Sequence, residues 1–307
     1  MSGILFDDDS WRLYRRHKGL LLLVLPGVLF FLLFNYLPML GLVIAFKDFR
    51  LVDGIMGSAW SGVDNFRRLF GGADFPLALR NTVTISLLRL CFGFFAPIAL
   101  ALMLNEIRLS WYKRTIQTVT YIPYFLSWVI LGGIFLIMFA QNGPVNQLAM
   151  MVGIEPIQFL TDDFWFVVLI IATGIWQAAG YGAVIYLAAL SGISPDLYEA
   201  AVVDGAGRWK QTWHITIPGL IPTIVTLFIL NLGHVLNAGF DQIYNMYNPM
   251  VFDAADIIDT YVLRRIVLMD FGLATGAGLF KSVVGLMMVV LANSLARRVS
   301  GGEQGIW

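Results

Sequence analysis

"YEAAVVDGAGRWKQTWHITIPGLIP" occupies Tyr198–Pro222, between two long apolar runs. A connector that merely joined two helices would need only about five residues. This one carries Glu199 before Ala200 and Ala201, then Gly205 and Gly207, Trp209 and Trp213, and finally Pro218 and Pro222. Just upstream, Ser194-Pro195-Asp196 has the make-up of a helix start. Ser194 or Asp196 can cap the open N–H groups, and Pro195 suits the first turn. Leu197, Ala200, Ala201 and Val203 then recur as the apolar stripe of a short amphipathic helix. Gly205 and Gly207 lack a Cβ, so they permit a sharp turn and a close backbone approach. Trp209, Trp213, Ile215 and Ile217 supply a second apolar set before the next run begins. The expectation is helix, glycine turn, second short helix, with small residues where another surface can press. Two readings fit that pattern: a docking element and a solvated loop lying on a bilayer.

The bilayer follows from composition. Of 307 residues 58% are hydrophobic and only 13% charged, against about 25% charged in soluble domains, and the mean hydropathy is +0.76. This is the profile of an integral membrane protein. Twenty basic residues balance twenty acidic ones, so net charge points to no acidic or basic partner. One cysteine, Cys91, excludes an intrachain disulfide framework and a multi-cysteine metal site. His17, His214 and His234 are scattered without metal-ligand spacing. About 20 apolar residues are needed to cross the hydrocarbon. Six runs qualify, near 20–45, 80–104, 119–140, 164–190, 219–240 and 275–296. The first is far longer than a signal-peptide core and continues through Pro26 and Pro38 without a small-residue cleavage pattern.

Basic residues favour the cytoplasm. Arg12, Arg15, Arg16, Lys18, Arg108, Lys113, Arg114, Arg208, Lys210, Arg297 and Arg298 fall on one side, eleven against eight on the other. The loop Gln141–Asp163 opposite holds Glu155, Asp162 and Asp163 and no basic residue. Both termini are therefore expected in the cytoplasm, with the quoted stretch joining the fourth and fifth spans on that face. The expected organisation is a cytoplasmic segment 1–18, a six-helix membrane domain 19–299 containing the loop 194–218, and a tail 300–307. Asp7, Asp8, Asp9 and Ser10 can cap a short interfacial helix from Trp11 to Lys18. In the outer loop 241–274, Ile257, Ile258, Tyr261, Val262 and Ile266 recur at helical spacing, which predicts an amphipathic helix on the outer surface. No Walker A phosphate loop occurs, so the chain is not expected to hydrolyse ATP alone.

The quoted loop resembles the EAA motif of permease subunits of binding-protein-dependent ABC importers. That pattern is Glu-Ala-Ala, a glycine four positions on, then Ile-x-Leu-Pro. Glu199, Ala200, Ala201, Gly205, Ile215 and Pro218 match, while Ile217 stands where leucine is usual. The resemblance implies an all-α, six-span, MetI-like type I permease fold. It implies that the motif helix, with Asp204 in its turn, seats in a groove of a separate ATPase subunit. Glu199 would make the ionic contact, and Ala200, Ala201 and Gly205 the close-packed surface. Stretches 34–50 and 236–249, with "IIDTYVLRR" and "GLFKSVVGLMMVVLANSLARR", resemble the sugar and polysaccharide branch, maltose-permease relatives of the LplB type, including alginate-oligosaccharide permeases. Further implications are a second related permease, two ATPase subunits that bind the ATP and Mg, a solute-binding protein that delivers the sugar, and a bacterial cytoplasmic membrane location. No cofactor is expected on this chain.

Other residues are candidates for the substrate path. Asn231, His234, Asn237 and Asp241 recur every three to four residues and are expected on one face of the fifth span. Within a membrane such side chains face a cavity, a partner or a neighbouring helix. Amides and aromatic rings bind sugars, which adds Tyr244 and Tyr247. Arg89 lies mid-span with no acid in the same run. It has two readings, a structural pairing with an acid such as Glu106 and a contact to an anionic substrate. Trp128, Trp176 and Gln177 either line the cavity or simply pack. Gly132, Gly133, Gly174, Gly180 and Gly182 are assigned to close helix approach. The function expected is an oligosaccharide importer subunit working by alternating access. An ion-gradient-driven sugar transporter is the alternative, but it predicts intramembrane carboxylates and paired broken helices, and no acid lies clearly inside a span. A membrane-embedded enzyme would need a convergent nucleophile, base or metal site, and none is evident.

Overall fold

The computed structural model describes residues 18–299 apart from His234. The expected interfacial helix from Trp11 and the tail 300–307 therefore lie outside the described residues. The chain opens with α1 (Lys18–Phe31), which continues through a π turn (Leu32–Tyr36) and a 3-10 stretch (Leu37–Phe46) as one apolar rod. A two-residue hairpin follows, β1 (Lys47–Asp48) against β2 (Ala59–Trp60). Then come α2 (Asp64–Gly71) and the second span, made of α3 (Asp74–Leu88), a π turn (Arg89–Gly93) and α4 (Phe95–Glu106). The third expected span is two helices, α5 (Ser110–Tyr121) and α6 (Trp128–Met138). A short α7 (Pro144–Met151) precedes the fourth span, α8 (Asp163–Ser191). After it lie α9 (Pro195–Val203), α10 (Arg208–Gln211), a π turn (Thr212–Thr216) and α11 (Ile217–Gly233). The chain ends with α12 (Phe240–Met246), α13 (Ile258–Val267) and α14 (Phe271–Val299).

Among the described residues five helical segments are long and apolar enough to cross a membrane, or six when the bent pair α5–α6 is counted as one span. Two of the expected spans and the expected outer helix differ from their readings. The run 119–140 is not straight: its halves meet at 102°. Pro123 opens a 3-10 turn, Leu126 and Ser127 are extended, and α6 restarts from Ser127. The proline has no N–H to continue the ladder. The fifth span runs Arg208–Gly233 rather than 219–240. The predicted second short helix is thus the base of that span, joined to it through the π turn before Pro218. The predicted outer helix exists as α13, with its first turns packed into the bundle and Ile266 and Val267 exposed. Ile258 and Tyr261 are buried against Leu69, Phe75, Leu273 and Ala277.

The core is built where spans cross. Ala101 of α4, Ala183, Tyr186 and Leu190 of α8, and Leu220 of α11 form one cluster. Ile85, Leu131, Phe166, Ile170, Ile243 and Met246 form another, which seats α12 among α3, α6 and α8. Gly180 lets α8 press on the Thr120 backbone, where a Cβ would collide, whereas Gly133 faces open space. The rod α1 differs from every other span. The most apolar stretch of Lys18–Phe46 buries nothing, so in the single chain its apolar surface is open to lipid or to a partner.

Candidate functional site

Two polar regions stand out, one at the end of the bundle and one inside it. At the end, Ser194 caps α9 by accepting from the Asp196 N–H at 3.3 Å. The helix stops in a Schellman turn. The Ala206 N–H donates to Ala201 O at 2.8 Å and the Gly205 N–H to Val202 O at 3.0 Å. Gly205 sits at φ +74°, in the left-handed region that favours glycine. No atom of the chain lies within 4 Å of where its Cβ would be. Its demand is therefore conformational, and it is not a packing contact within this chain. Glu199, Ala200 and Asp204 are exposed and Ala201 is partly covered. Ile215 and Pro218 belong elsewhere, in the π turn and at the start of α11.

Three contacts tie this knob to the spans behind it. The Tyr198 and Thr216 hydroxyls are 3.0 Å apart, and Gln211 Nε2 donates to Ala206 O at 2.7 Å. Arg208 reaches Glu106 at the end of α4 at 3.3 Å. Glu106 is therefore Arg208's partner and not, as one sequence reading had it, that of Arg89. Both side chains of the pair are about half exposed, so it contributes at most about 1 kcal/mol.

Inside the bundle, Asn231, Asn237 and Asp241 do not share a helix face. α11 ends at Gly233, Gly239 takes φ +85°, and α12 starts afresh at Phe240. His234 lies outside the described residues. Asn231 and Asn237 line a cavity of about 490 Å³ with Ser86, Arg89, Tyr124 and Tyr181. Asp241 lines a second cavity of about 560 Å³, with Trp128, Asn237, Gln242, Asp259 and Lys281. Between the two, Arg89 Nη2 donates to Gln242 Oε1. Gln242 is fully buried, and its Nε2 donates to Ile170 O at 2.9 Å and to Thr173 Oγ1 at 2.8 Å. Gly174 and Gly239 flank the guanidinium, and a Cβ on Gly239 would overlap it.

The remaining candidates fall outside both cavities. Tyr244 is exposed and stacks on Phe240 at 5.4 Å. Trp176 borders a separate apolar hollow and meets Phe135 edge-on at 5.7 Å. Gln177 is half-buried, donating to Tyr124 O at 3.4 Å. Sequence reasoning missed Gln242, Thr173, Tyr124 and Tyr181. One signal could have exposed the error: a glycine near the end of a helical pattern, here Gly239, marks a helix stop.

At the end of the bundle away from α9 charges are paired. Arg264 meets Asp256 at 2.7 Å, and this contact raises the arginine's pKa above its ordinary value. Arg265 meets Asp74 at 2.8 Å and Lys281 meets Asp259 at 2.7 Å.

Residues 93–301 match the family model described as "Binding-protein-dependent transport system inner membrane component". The polygalacturonan/rhamnogalacturonan transport system permease protein YteP of Bacillus subtilis (strain 168) is 45% identical, covering 95% of this chain and 91% of its own length. Protein LplB of the same organism is also 45% identical, covering 92% and 90%. Among solved structures, a bacterial ABC transporter involved in import of the acidic polysaccharide alginate superposes with a TM-score of 0.89 at 39% identity, covering 95% of this chain and 100% of that one. The bacterial alginate ABC transporter in complex with alginate pentasaccharide-bound periplasmic protein gives 0.89 and 39%, covering 96% and 99%.

Proposed function

The chain belongs to the binding-protein-dependent transport system inner membrane component family, and from that membership we propose how it moves its cargo. It is a multi-pass inner-membrane permease of a sugar ABC importer, with the MetI-like fold of that class. Such a permease is a transport component and performs no covalent chemistry. In our reading it pairs with a second, related permease and two ATPase subunits, which carry the ATP and Mg. A solute-binding protein delivers an oligosaccharide from outside, as the alginate pentasaccharide-bound periplasmic protein accompanies the similar transporter. Both termini and the loop 194–218 face the cytoplasm.

One observation carries the coupling role: the exposed acid and small residues of α9 sit on a short, capped helix that is bonded to the base of the fifth span, and that base is itself tied to α4 through Arg208–Glu106. Glu199 makes the ionic contact in the ATPase groove, and Ala200, Ala201 and Gly205 let that surface come close. Closure of the ATPase pair pushes α9. The Tyr198–Thr216 and Gln211–Ala206 contacts pass the push to the base of α11, and Arg208–Glu106 passes it to α4. α11 and the α3–α4 span are walls of the 490 Å³ cavity. Moving them relative to α8 switches the side to which the cavity opens, which is alternating access.

The test is uptake of labelled oligosaccharides into proteoliposomes holding the assembled complex. Uptake is expected to need the solute-binding protein outside and ATP on the ATPase side, and to ignore proton and sodium gradients. Accumulation driven by an ion gradient through this chain without an ATPase would overturn the reading in favour of a secondary transporter.

A further inference from the structure

The intramembrane cation Arg89 is held by a neutral partner. Among the described residues no carboxylate approaches it within salt-bridge distance. Its Nη2 donates to the Gln242 amide oxygen, and its Nε is buried without a hydrogen-bond partner. The amide cannot turn to face it otherwise, because both N–H groups of Gln242 are committed to Ile170 O and Thr173 Oγ1. A glutamate at 242 would have the same shape and would neutralise the guanidinium. Glutamine orients the cation and leaves its charge uncompensated. An ionisable group kept in this condition inside a membrane is costly, and a guanidinium fork matches a carboxylate in shape and charge.

The surroundings suit a sugar acid. Arg89 opens the π turn Arg89–Gly93, an irregularity frequent at functional sites. It lines the 490 Å³ cavity, which also presents the amide side chains Asn231 and Asn237. The Tyr124 and Tyr181 rings on the same wall are stacked at 4.1 Å and 8°. Aromatic faces, amides and one cation make a surface for a ring bearing hydroxyls and a carboxylate. Gln242 lines the second cavity and Arg89 the first, while Asn237 lines both. Asp241, the nearest acid in sequence, belongs to the second cavity, as does Asp259, which Lys281 neutralises. The Arg89–Gln242 contact thus joins a residue that lines the first cavity to one that lines the second.

We propose that Arg89 recognises the carboxylate of the cargo during passage, with Gln242 as its positioning residue, and that the cargo is a uronic-acid-containing oligosaccharide. This rests on the oligosaccharide-importer reading above; the acidic cargo class is that of the similar polygalacturonan and alginate systems, and the new element is the residue pair that selects the charge.

The experiment uses the complete complex in proteoliposomes, with a panel of uronic-acid oligosaccharides and their carboxyl-reduced, neutral counterparts. The wild type is expected to favour the acidic member of each pair. Arg89→Gln and Gln242→Glu should each cut the acidic-to-neutral uptake ratio by roughly tenfold or more, the scale on which a polar site discriminates, and Arg89→Lys should retain part of it. Arg89→Lys guards against misfolding as an explanation: it keeps the charge and a donor for Gln242 Oε1, so the complex should keep its thermal stability while its preference for acids falls. Gln242→Glu supplies a counter-charge but sets a carboxylate oxygen against Ile170 O, so its thermal stability is measured beside its uptake ratio. A merely structural role predicts that stability and both uptakes fall together. Assembled variants with an unchanged ratio, equal losses for both probes, or a wild type that takes the pair equally would overturn the proposal. ATP-independent uptake, or uptake of neither class, would instead defeat the importer reading beneath it.

Discussion

The α9 knob and the Arg89–Gln242 crossing are both polar interruptions of an apolar chain, yet they are built on opposite plans. The knob is local. Its cap, helix, stop and return bonds fall between Ser194 and Thr216, and its functional face is open. The crossing is made by residues 153 positions apart, closed around a fully buried glutamine, with glycines from two other elements clearing the space. The difference teaches where each stores its specificity. A knob that must meet a separate subunit needs a surface and a stiff base, and the partner supplies the rest. A selective point inside the membrane must bring its own partners, because unmet polar groups there are expensive.

Both plans contain a glycine at positive φ, which makes the contrast breakable. Gly239→Ala should have the largest effect. It meets backbone strain at φ +85° and overlap with the Arg89 guanidinium together, so a loss of about 2–4 kcal/mol is expected. Thermal unfolding of the assembled complex would measure it, and a variant as stable as wild type would show that the crossing is not closed as described. Gly205→Val comes next. It faces no neighbour in the chain and carries only the left-handed strain, about 1–2 kcal/mol. Its consequence should be felt in coupling, with ATP-driven uptake down by roughly tenfold, an ordinary coupling energy, while ATPase subunits still co-purify. Gly205→Asn, which tolerates this conformation, should recover the stability lost in Gly205→Val yet still lose coupling, because its side chain stands in the surface proposed to meet the ATPase. If Asn couples like wild type, then the position is set by backbone shape and not by contact with the partner. Smallest is the Arg208–Glu106 tie. Arg208→Ala and Glu106→Ala should each shift stability by at most about 1 kcal/mol. The double variant should be no worse than the worse single, since both remove the same contact. Strict additivity would dissolve the proposed link between knob and α4.

The same contrast explains what could be read without coordinates. The α9 helix was legible because Ser194, Pro195 and Gly205 act on the backbone within a turn of themselves. Spans at 164–190 and 275–296 were legible because about 20 apolar residues declare themselves wherever they sit. The fifth span was misjudged at both ends, since hydropathy does not register a π turn before Pro218 or a left-handed Gly239. The face shared by Asn231, Asn237 and Asp241 dissolved with it. α13 was recognised as a helix from its apolar spacing. That spacing could not say whether the stripe faced lipid headgroups or, as it does, Phe75 and Leu273.

Taken alone, the order of residues determined that this chain lives in a membrane, about how many times it crosses, and that a glycine-stopped helix bearing Glu199 projects between the fourth and fifth spans. These are properties of composition and of interactions within a few residues, so no fold is needed to state them. Only the tertiary structure decided that Arg89 answers to Gln242 and not to Glu106, that Thr173 and Ile170 fix the direction of that amide, and that each partner of the contact lines a different cavity. Contacts between distant segments depend on how helices bend and cross. The bends here arise from single residues, Pro123 and Gly239 among them, whose effect on a neighbour many residues away appears only once the bundle is packed.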